Sequence, residues 1–348
     1  MITSEPLRWG IVGTGKIARI MAGAIAESRS GELVAVASRS SARAAAFASE
    51  FPVRRTYGDY AGVVDDEQVD LVYVATNHPL HREWAVRTAE AGKHQLCEKP
   101  LGVTHEDAAA IVDAAKRNDV FLLEAFAYRS HPQTRRLIEL LAGGTIGEIR
   151  MIDASFGYNA GPAPSNYLLV RELAGGSLLD VGCYTSSMAH LIAGVAHGAI
   201  VDPDEVVGVS RLGSTGVDLS ATASLRFGAG PVARLASSIE ADLENVVRIH
   251  GSEGRITVPS PWLPGRIGSS AEIVLERRGE DTGVIEIPLE EDLYTTEVDA
   301  VAGFVAAGER SPAVMPWEES LANMRTLDRW RASIGLRYPS DPDTAPEE

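Results

Sequence analysis

Short apolar runs alternate with amphipathic stretches over the first 125 residues of the chain. Leu7-Arg8-Trp9-Gly10-Ile11-Val12 reads as a strand, and about Ile17 to Ser28 as a helix. Leu33 to Ala37 predicts a second strand, Ala42 to Glu50 an alanine-rich helix, and Leu71 to Ala75 a buried strand. Pro79 to Ala91 predicts a helix that stops at Gly92, and His94 to Cys97 the next strand. A helix then starts at an N-cap, Thr104, with Asp107 three residues on, and runs to Arg117; Val120 to Leu123 is the last strand. Such alternation implies a doubly wound parallel sheet.

From about Ile149 the pattern changes. Strands such as Leu219 to Phe227, Val232 to Ile239 and Val246 to His250 follow one another with turn residues between, and helices over roughly Thr295 to Ala307 and Trp317 to Ile334 close the chain. The fold class read from this pattern is α/β, with residues 1–124 as a domain built on the parallel sheet. Residues 125–338 form an α+β domain with a large, mostly antiparallel, open-faced sheet, and residues 339–348 an acidic tail. An open sheet face needs a cover, which predicts a homo-oligomer.

Length agrees with two domains, because 348 residues exceed what one core usually serves. Hydrophobic content of 45% and charged content of 23% are those of a globular protein. The net charge of -16 argues against a nucleic-acid partner. It leaves an anionic cofactor open, because local donors decide that. The two cysteines, Cys97 and Cys183, sit in apolar surroundings and suggest buried thiols in a reducing compartment. No apolar run is long enough to span a membrane, and the first residues do not resemble a secretion signal. A cytoplasmic protein is expected.

Gly13-Thr14-Gly15-Lys16-Ile17-Ala18 joins the first strand to the first helix. Gly13 permits a tight turn, and Gly15 lets backbone approach a pyrophosphate at the helix N-terminus; Ala18 stands where the fingerprint allows a third glycine. At the end of the second strand, an acid usually receives the ribose hydroxyl of NAD. Here Ser38-Arg39 is followed by Arg43, a set better suited to a 2′-phosphate. NADP is the expected cofactor, with NAD the alternative.

Two further segments carry chemistry. In Glu98-Lys99-Pro100-Leu101-Gly102 the proline removes a donor and forces Lys99 into extended backbone at a strand end, where the crevice of such a sheet binds ligands. Glu98 is placed to bond a cofactor ribose or a neighbouring amide. In the block Gly175 to Tyr184, Asp180 and Tyr184 are four apart and share a helix face; alone, they read equally as a pair facing a pocket or as an N-cap and a core residue. His78, His81 and His131 do not form a metal-ligand pattern; His81 reads as a structural or rim residue, and His131 as a hinge or cleft residue. Trp317 and Trp330 have helix-packing spacing.

In order and spacing, these segments resemble the glucose–fructose oxidoreductase / inositol dehydrogenase / MocA (Gfo/Idh/MocA) family over nearly the whole chain. The segments are the glycine turn, Ala75-Thr76-Asn77 with His81, Gly92-Lys93-His94, Glu98-Lys99-Pro100 and the Gly175 block. Glu124 to Pro132 is most similar to the branch of dimeric dihydrodiol dehydrogenases and NADP-dependent aldose (xylose-type) dehydrogenases. The resemblance implies that residues 1–124 are an NAD(P)-binding Rossmann domain and that the chain is an oxidoreductase of sugars, cyclitols or related cyclic alcohols. Since relatives associate through the open sheet, the resemblance also implies a homodimer or homotetramer. It extends the cofactor site to Thr76, Asn77, His81, Glu98 and Lys99, assigns Lys99, Asp180 and Tyr184 to the substrate, and implies a cis Lys99–Pro100 bond. Relatives often carry arginine at the position of Leu168; Arg171 is a nearby substitute.

Removing a hydroxyl proton as hydride leaves needs a base, and a free tyrosine with pKa about 10 is a poor one. Lys99 beside Tyr184 is expected to lower that value, with Asp180 orienting Lys99 or a substrate hydroxyl. The alternatives are a nucleotide-binding regulator without turnover, and a glycosidase using tightly bound NAD.

Overall fold

The computed structural model describes residues 5–161, 166–266, 271–339 and 341. Its first sheet contains β1 (Leu7–Val12), β2 (Gly31–Ala37), β3 (Arg55–Tyr57), β4 (Leu71–Val74), β5 (His94–Cys97) and β6 (Leu122–Glu124). All pairs are parallel, in the order β3-β2-β1-β4-β5-β6. Helices α1 (Lys16–Glu27), α2 (Ser41–Glu50), α3 (Ala61–Val64), α4 (His81–Glu90) and α5 (His105–Arg117) connect the strands. The order reverses between β1 and β4, which opens a crevice at their carboxyl ends.

Local sequence explains most of this. All four residues of β4 are buried, as covering a parallel sheet on both faces requires. Helix α1 turns Ala18, Met21, Ala22 and Ile25 inward at helical spacing. Helix α5 has the expected capping box, Thr104 accepting from the Asp107 amide and Asp107 from the Thr104 amide. Such a cap contributes about 1 kcal/mol. The helix expected from Pro79 begins as a tight turn over His78–Leu80 before α4. Elements β3 and α3 were not expected. Each is shorter than a periodic pattern needs, and Asp66 secures the segment by accepting from Arg55 (2.8 Å) and Tyr57 (3.0 Å).

After α6 (Ala127–Ser130) and α7 (Pro132–Ala142) comes the second sheet, which begins with β7 (Ile149–Gly157). Helix α8 (Cys183–His197) separates it from β8 (Glu205–Leu212), β9 (Asp218–Arg226), β10 (Val232–Ser238), β11 (Val246–Gly251), β12 (Gly254–Pro259), β13 (Glu272–Arg277) and β14 (Gly283–Glu286). Helices α9 (Leu293–Ala306) and α10 (Trp317–Ser333) follow. The eight strands run β14-β13-β12-β11-β7-β10-β9-β8, antiparallel except where β7 meets β10. Ala221, Ala223 and Leu225 of β9, with Ala233 and Leu235 of β10, face helices α8 and α10. The alternate positions face outward, and Val207 and Val209 of β8 are 56% and 69% exposed.

Of the two closing helices, α9 packs on the first domain and α10 bridges the two. Helix α9 packs on α1, α6 and β2, and Ser28 donates to Asp299 at 2.6 Å. Helix α10 lies between α8, β8 and α5, and the His105 amide donates to Asp328 at 2.8 Å. Of the expected tail, residues 340 and 342–348 lie outside the described residues. Asp341 is held by Arg331 at 2.9 and 3.1 Å.

Candidate active site

The crevice begins at the glycine turn. Gly13 has φ +117°, and a Cβ there would meet the Ala75 carbonyl oxygen at 2.3 Å. Gly15 is the N-cap of α1, without a side-chain cap and without an acid in the first turn. A Cβ on Gly15 would meet no atom within 4 Å. The helix therefore presents free amide donors to open space, which fits the pyrophosphate of a dinucleotide. Thr14 and Ile17 are half-buried beside it and Lys16 is exposed. Thr14 reaches the Ser38 hydroxyl at 3.3 Å. Arg39 and Arg43 are exposed, and no acidic partner holds either among the described residues. The hydroxyl of Thr76, at the end of β4, is buried without a hydrogen bond, and Asn77 is half-buried next to it.

His81 was expected as a structural or rim residue and, through the resemblance, as a cofactor contact. It is 0% exposed, one ring nitrogen 2.9 Å from the Pro100 carbonyl and the other 3.1 Å from that of Thr76. As the first residue of α4 it ties the two crevice loops together through both ring nitrogens. Glu98 is also buried, accepting from the Tyr73 hydroxyl and from the Lys99 amide at 3.3 Å. Burial raises its pKa. The Lys99–Pro100 bond is cis.

Lys99 crosses from the first sheet to the Gly175 block. Its Nζ donates to the backbone carbonyl of Asp180 at 2.8 Å and stands 3.6 Å from the carboxylate. The carbonyl is available because Leu178–Gly182 winds as a π-turn before α8. The same Nζ lies 5.1 Å from the centre of the Tyr184 ring. Burial opposes the ammonium, but the surrounding negative charge, Asp180 among it, prevails and the Lys99 pKa stands well above its ordinary value.

Tyr184 itself departs from expectation. Its ring is caged by Phe126 (5.0 Å), Phe156 (5.2 Å), Tyr128 (5.9 Å) and Trp262 (6.0 Å). Burial among these rings raises the phenol pKa well above 10, and the downward pull of Lys99 does not cancel it. The resting pair is ammonium and neutral phenol.

Asp218 supports this array. It accepts from Ser177 Oγ and the Leu178 amide, both at 2.7 Å, and so caps the π-turn from β9. Gly176, at φ +115°, is required here: a Cβ would lie 2.0 Å from Asp218 Oδ1. Burial pushes the Asp218 carboxyl up to about 7. A raised acid contributes stability that is present below the ordinary carboxylate range and lost as pH rises through that value. Between about pH 5 and about pH 8, the Tm difference between Asp218→Asn and wild type should therefore move in the variant's favour. A pH-independent difference would show an ordinary carboxyl.

Sequence reading missed Phe156, Tyr158, Asp218 and Trp262. The alternation of Phe156 and Tyr158 at the end of β7 was the available signal. His78 is buried, 3.2 Å from the Ala174 carbonyl, and His131 caps α7. Arg171 bonds the Arg337 carbonyl at 2.8 Å. Leu168 is buried. Cys97 and Cys183 are buried free thiols, as expected.

Fold and site define a two-domain dinucleotide-binding protein with a Lys–Asp–Tyr cluster where the halves meet. Comparison with known proteins agrees. The profile described as "Oxidoreductase family, NAD-binding Rossmann fold" matches residues 7–126, and the Gfo/Idh/MocA C-terminal domain matches 134–257. The chain is 32% identical over 340 residues to trans-1,2-dihydrobenzene-1,2-diol dehydrogenase of Mus musculus, covering 96% of this chain and 99% of that protein. It is 33% identical over 323 residues to D-xylose 1-dehydrogenase (NADP(+)) 2 of Haloferax volcanii, covering 92% and 95%. The crystal structure of KijD10, a 3-ketoreductase from Actinomadura kijaniata in complex with NADP and TDP-benzene, superposes with TM-score 0.85 at 29% identity, over 95% and 98% of the chains. This chain belongs to the Gfo/Idh/MocA oxidoreductase family.

Proposed function

We propose that this chain is an NADP-dependent oxidoreductase of the secondary alcohol, or matching carbonyl, of a sugar, cyclic polyol or trans-dihydrodiol. The observation that carries it is Lys99 Nζ, poised between Asp180 and the Tyr184 ring at the mouth of the crevice. The names of the relatives, a dihydrodiol dehydrogenase and an NADP-dependent xylose dehydrogenase, support it. Bound nicotinamide supplies the hydride acceptor or donor. Gly13, Thr14, Gly15, Lys16 and Ile17 hold the pyrophosphate; Ser38, Arg39 and Arg43 hold the 2′-phosphate. Thr76, Asn77, Glu98 and Lys99 border the nicotinamide end, and His81 sets their loops. Lys99 grips the substrate oxygen, and Tyr184 donates the proton in reduction or removes it in oxidation. Asp180 fixes Lys99 through its carbonyl and offers its carboxylate to a hydroxyl.

The cofactor assignment is tested by Arg39→Ala combined with Arg43→Ala. KM for NADP should rise roughly 10-fold or more while KM for NAD changes little, because charge-assisted bonds to the extra phosphate are lost. A wild-type preference for NAD would overturn it.

The division after residue 124 rests on the end of the parallel sheet at β6 and the start of α6. The outward face of the second sheet holds a shallow depression of about 500 Å³ lined by Val207, Val209, Thr222 and Arg234. A second copy covers it, giving a homodimer or homotetramer. Light scattering should find an oligomer that Val209→Glu weakens, and a wild-type monomer would reject this. Among the described residues no helix is long and apolar enough to cross a membrane. The free thiols of Cys97 and Cys183 favour a cytoplasmic setting.

A further inference from the structure

Tyr158 follows β7 and is clamped by backbone on both sides. Its amide donates to the Ser238 carbonyl at 3.0 Å, and that of Ala160 to Ile239 at 2.9 Å. The next amide, that of Asn159, bonds Asp242 Oδ1 at 3.0 Å. From this fixed base the half-buried side chain reaches the π-turn, where its hydroxyl donates to Asp180 Oδ2 at 2.6 Å. A phenol has one hydrogen, and this one is committed. Its oxygen can then only accept.

The other carboxylate oxygen, Asp180 Oδ1, has Lys99 Nζ at 3.6 Å, beyond hydrogen-bond distance. It too can only accept. Beside the Lys99 donor and the Tyr184 phenol, the cleft therefore presents two adjacent oxygens without a hydrogen to give. A ligand group placed against them must bring its own hydrogen. A hydroxyl satisfies that demand; an ether, ketone or carboxylate there would leave lone pairs facing lone pairs.

We propose that Tyr158 is a specificity-determining residue which, with Asp180, forms an acceptor-only pair selecting substrates with a free hydroxyl beside the reacting carbon. This rests on the oxidoreductase reading above and assigns to Tyr158 and Asp180 the recognition of the neighbouring hydroxyl that those substrate classes share. Burial and the neighbouring Asp180 charge raise the Tyr158 pKa, which keeps its hydrogen in place for that bond.

The test compares trans-1,2-cyclohexanediol with trans-2-methoxycyclohexanol, each with NADP, in wild type and Tyr158→Phe. Wild type should favour the diol by roughly 10-fold or more in kcat/KM, the scale of discrimination by a hydrogen-bonding site. In Tyr158→Phe that ratio should fall several-fold, carried by KM for the diol rather than kcat, while the ether loses much less. A ratio unchanged by Tyr158→Phe, or an equal loss on both alcohols, would overturn the inference and leave the oxidoreductase reading standing. Wild-type inactivity on both alcohols and on a wider polyol panel, with NADP binding intact by fluorescence, would remove the parent reading and this one together.

Discussion

Tyr184→Phe should lower kcat by roughly 10²- to 10⁴-fold, the contribution of a positioned proton donor or acceptor, while the Kd for NADPH stays near wild type. The phenol oxygen is all that this substitution removes. The ring remains in its cage of Phe126, Tyr128, Phe156 and Trp262, so packing and cofactor site persist. The direction of pH dependence follows from the raised phenol pKa. Tyr184 keeps its proton through neutrality, so carbonyl reduction should be flat there and decline only at strongly alkaline pH. Alcohol oxidation, which needs the proton gone, should instead rise with pH over the alkaline range. Steady-state rates in both directions, with NADPH fluorescence titration as the binding control, give the answer. Near-wild-type turnover in Tyr184→Phe would move the base to Lys99 or a water.

Lys99→Met should be at least as damaging, because one ammonium serves three tasks. It binds the Asp180 carbonyl, faces the Asp180 carboxylate and lies against the Tyr184 ring. Removing a preorganised charge from such a cleft costs roughly 10²- to 10³-fold, and here the proton carrier also loses its electrostatic partner. The Tyr184 pKa should climb further, so the alkaline rise of the oxidation rate moves to higher pH. The double variant should fall little below the worse single one, since both residues act on the same proton. Independent, additive losses would show that Lys99 and Tyr184 are not one unit. Far-UV circular dichroism would distinguish this from misfolding, because the Asp180 carbonyl also loses its donor.

Most of the first sheet was legible in the chain. Leu71 to Val74 is apolar because both faces of a parallel strand are covered, and Thr104 with Asp107 announces a helix start by local bonding alone. The glycine turn and the Glu98-Lys99-Pro100 segment were legible for the same reason, since their backbone demands are local. His81 supported two readings, structural residue and cofactor contact, because a histidine beside a ligand loop looks the same in sequence whether it faces the ligand or braces the loop.

The chain by itself determined two domains, the strand ends that form the crevice, and the presence of a lysine, an aspartate and a tyrosine able to do proton chemistry. Local periodicity and turn chemistry carry that information. Only the tertiary structure decided that Lys99 binds the Asp180 carbonyl through a π-turn capped by Asp218, and that burial keeps the Tyr184 proton. It alone brought Tyr158 onto Asp180 and laid α9 and α10 against the first domain. These depend on groups tens to hundreds of residues apart, and desolvation is a property of the assembled packing.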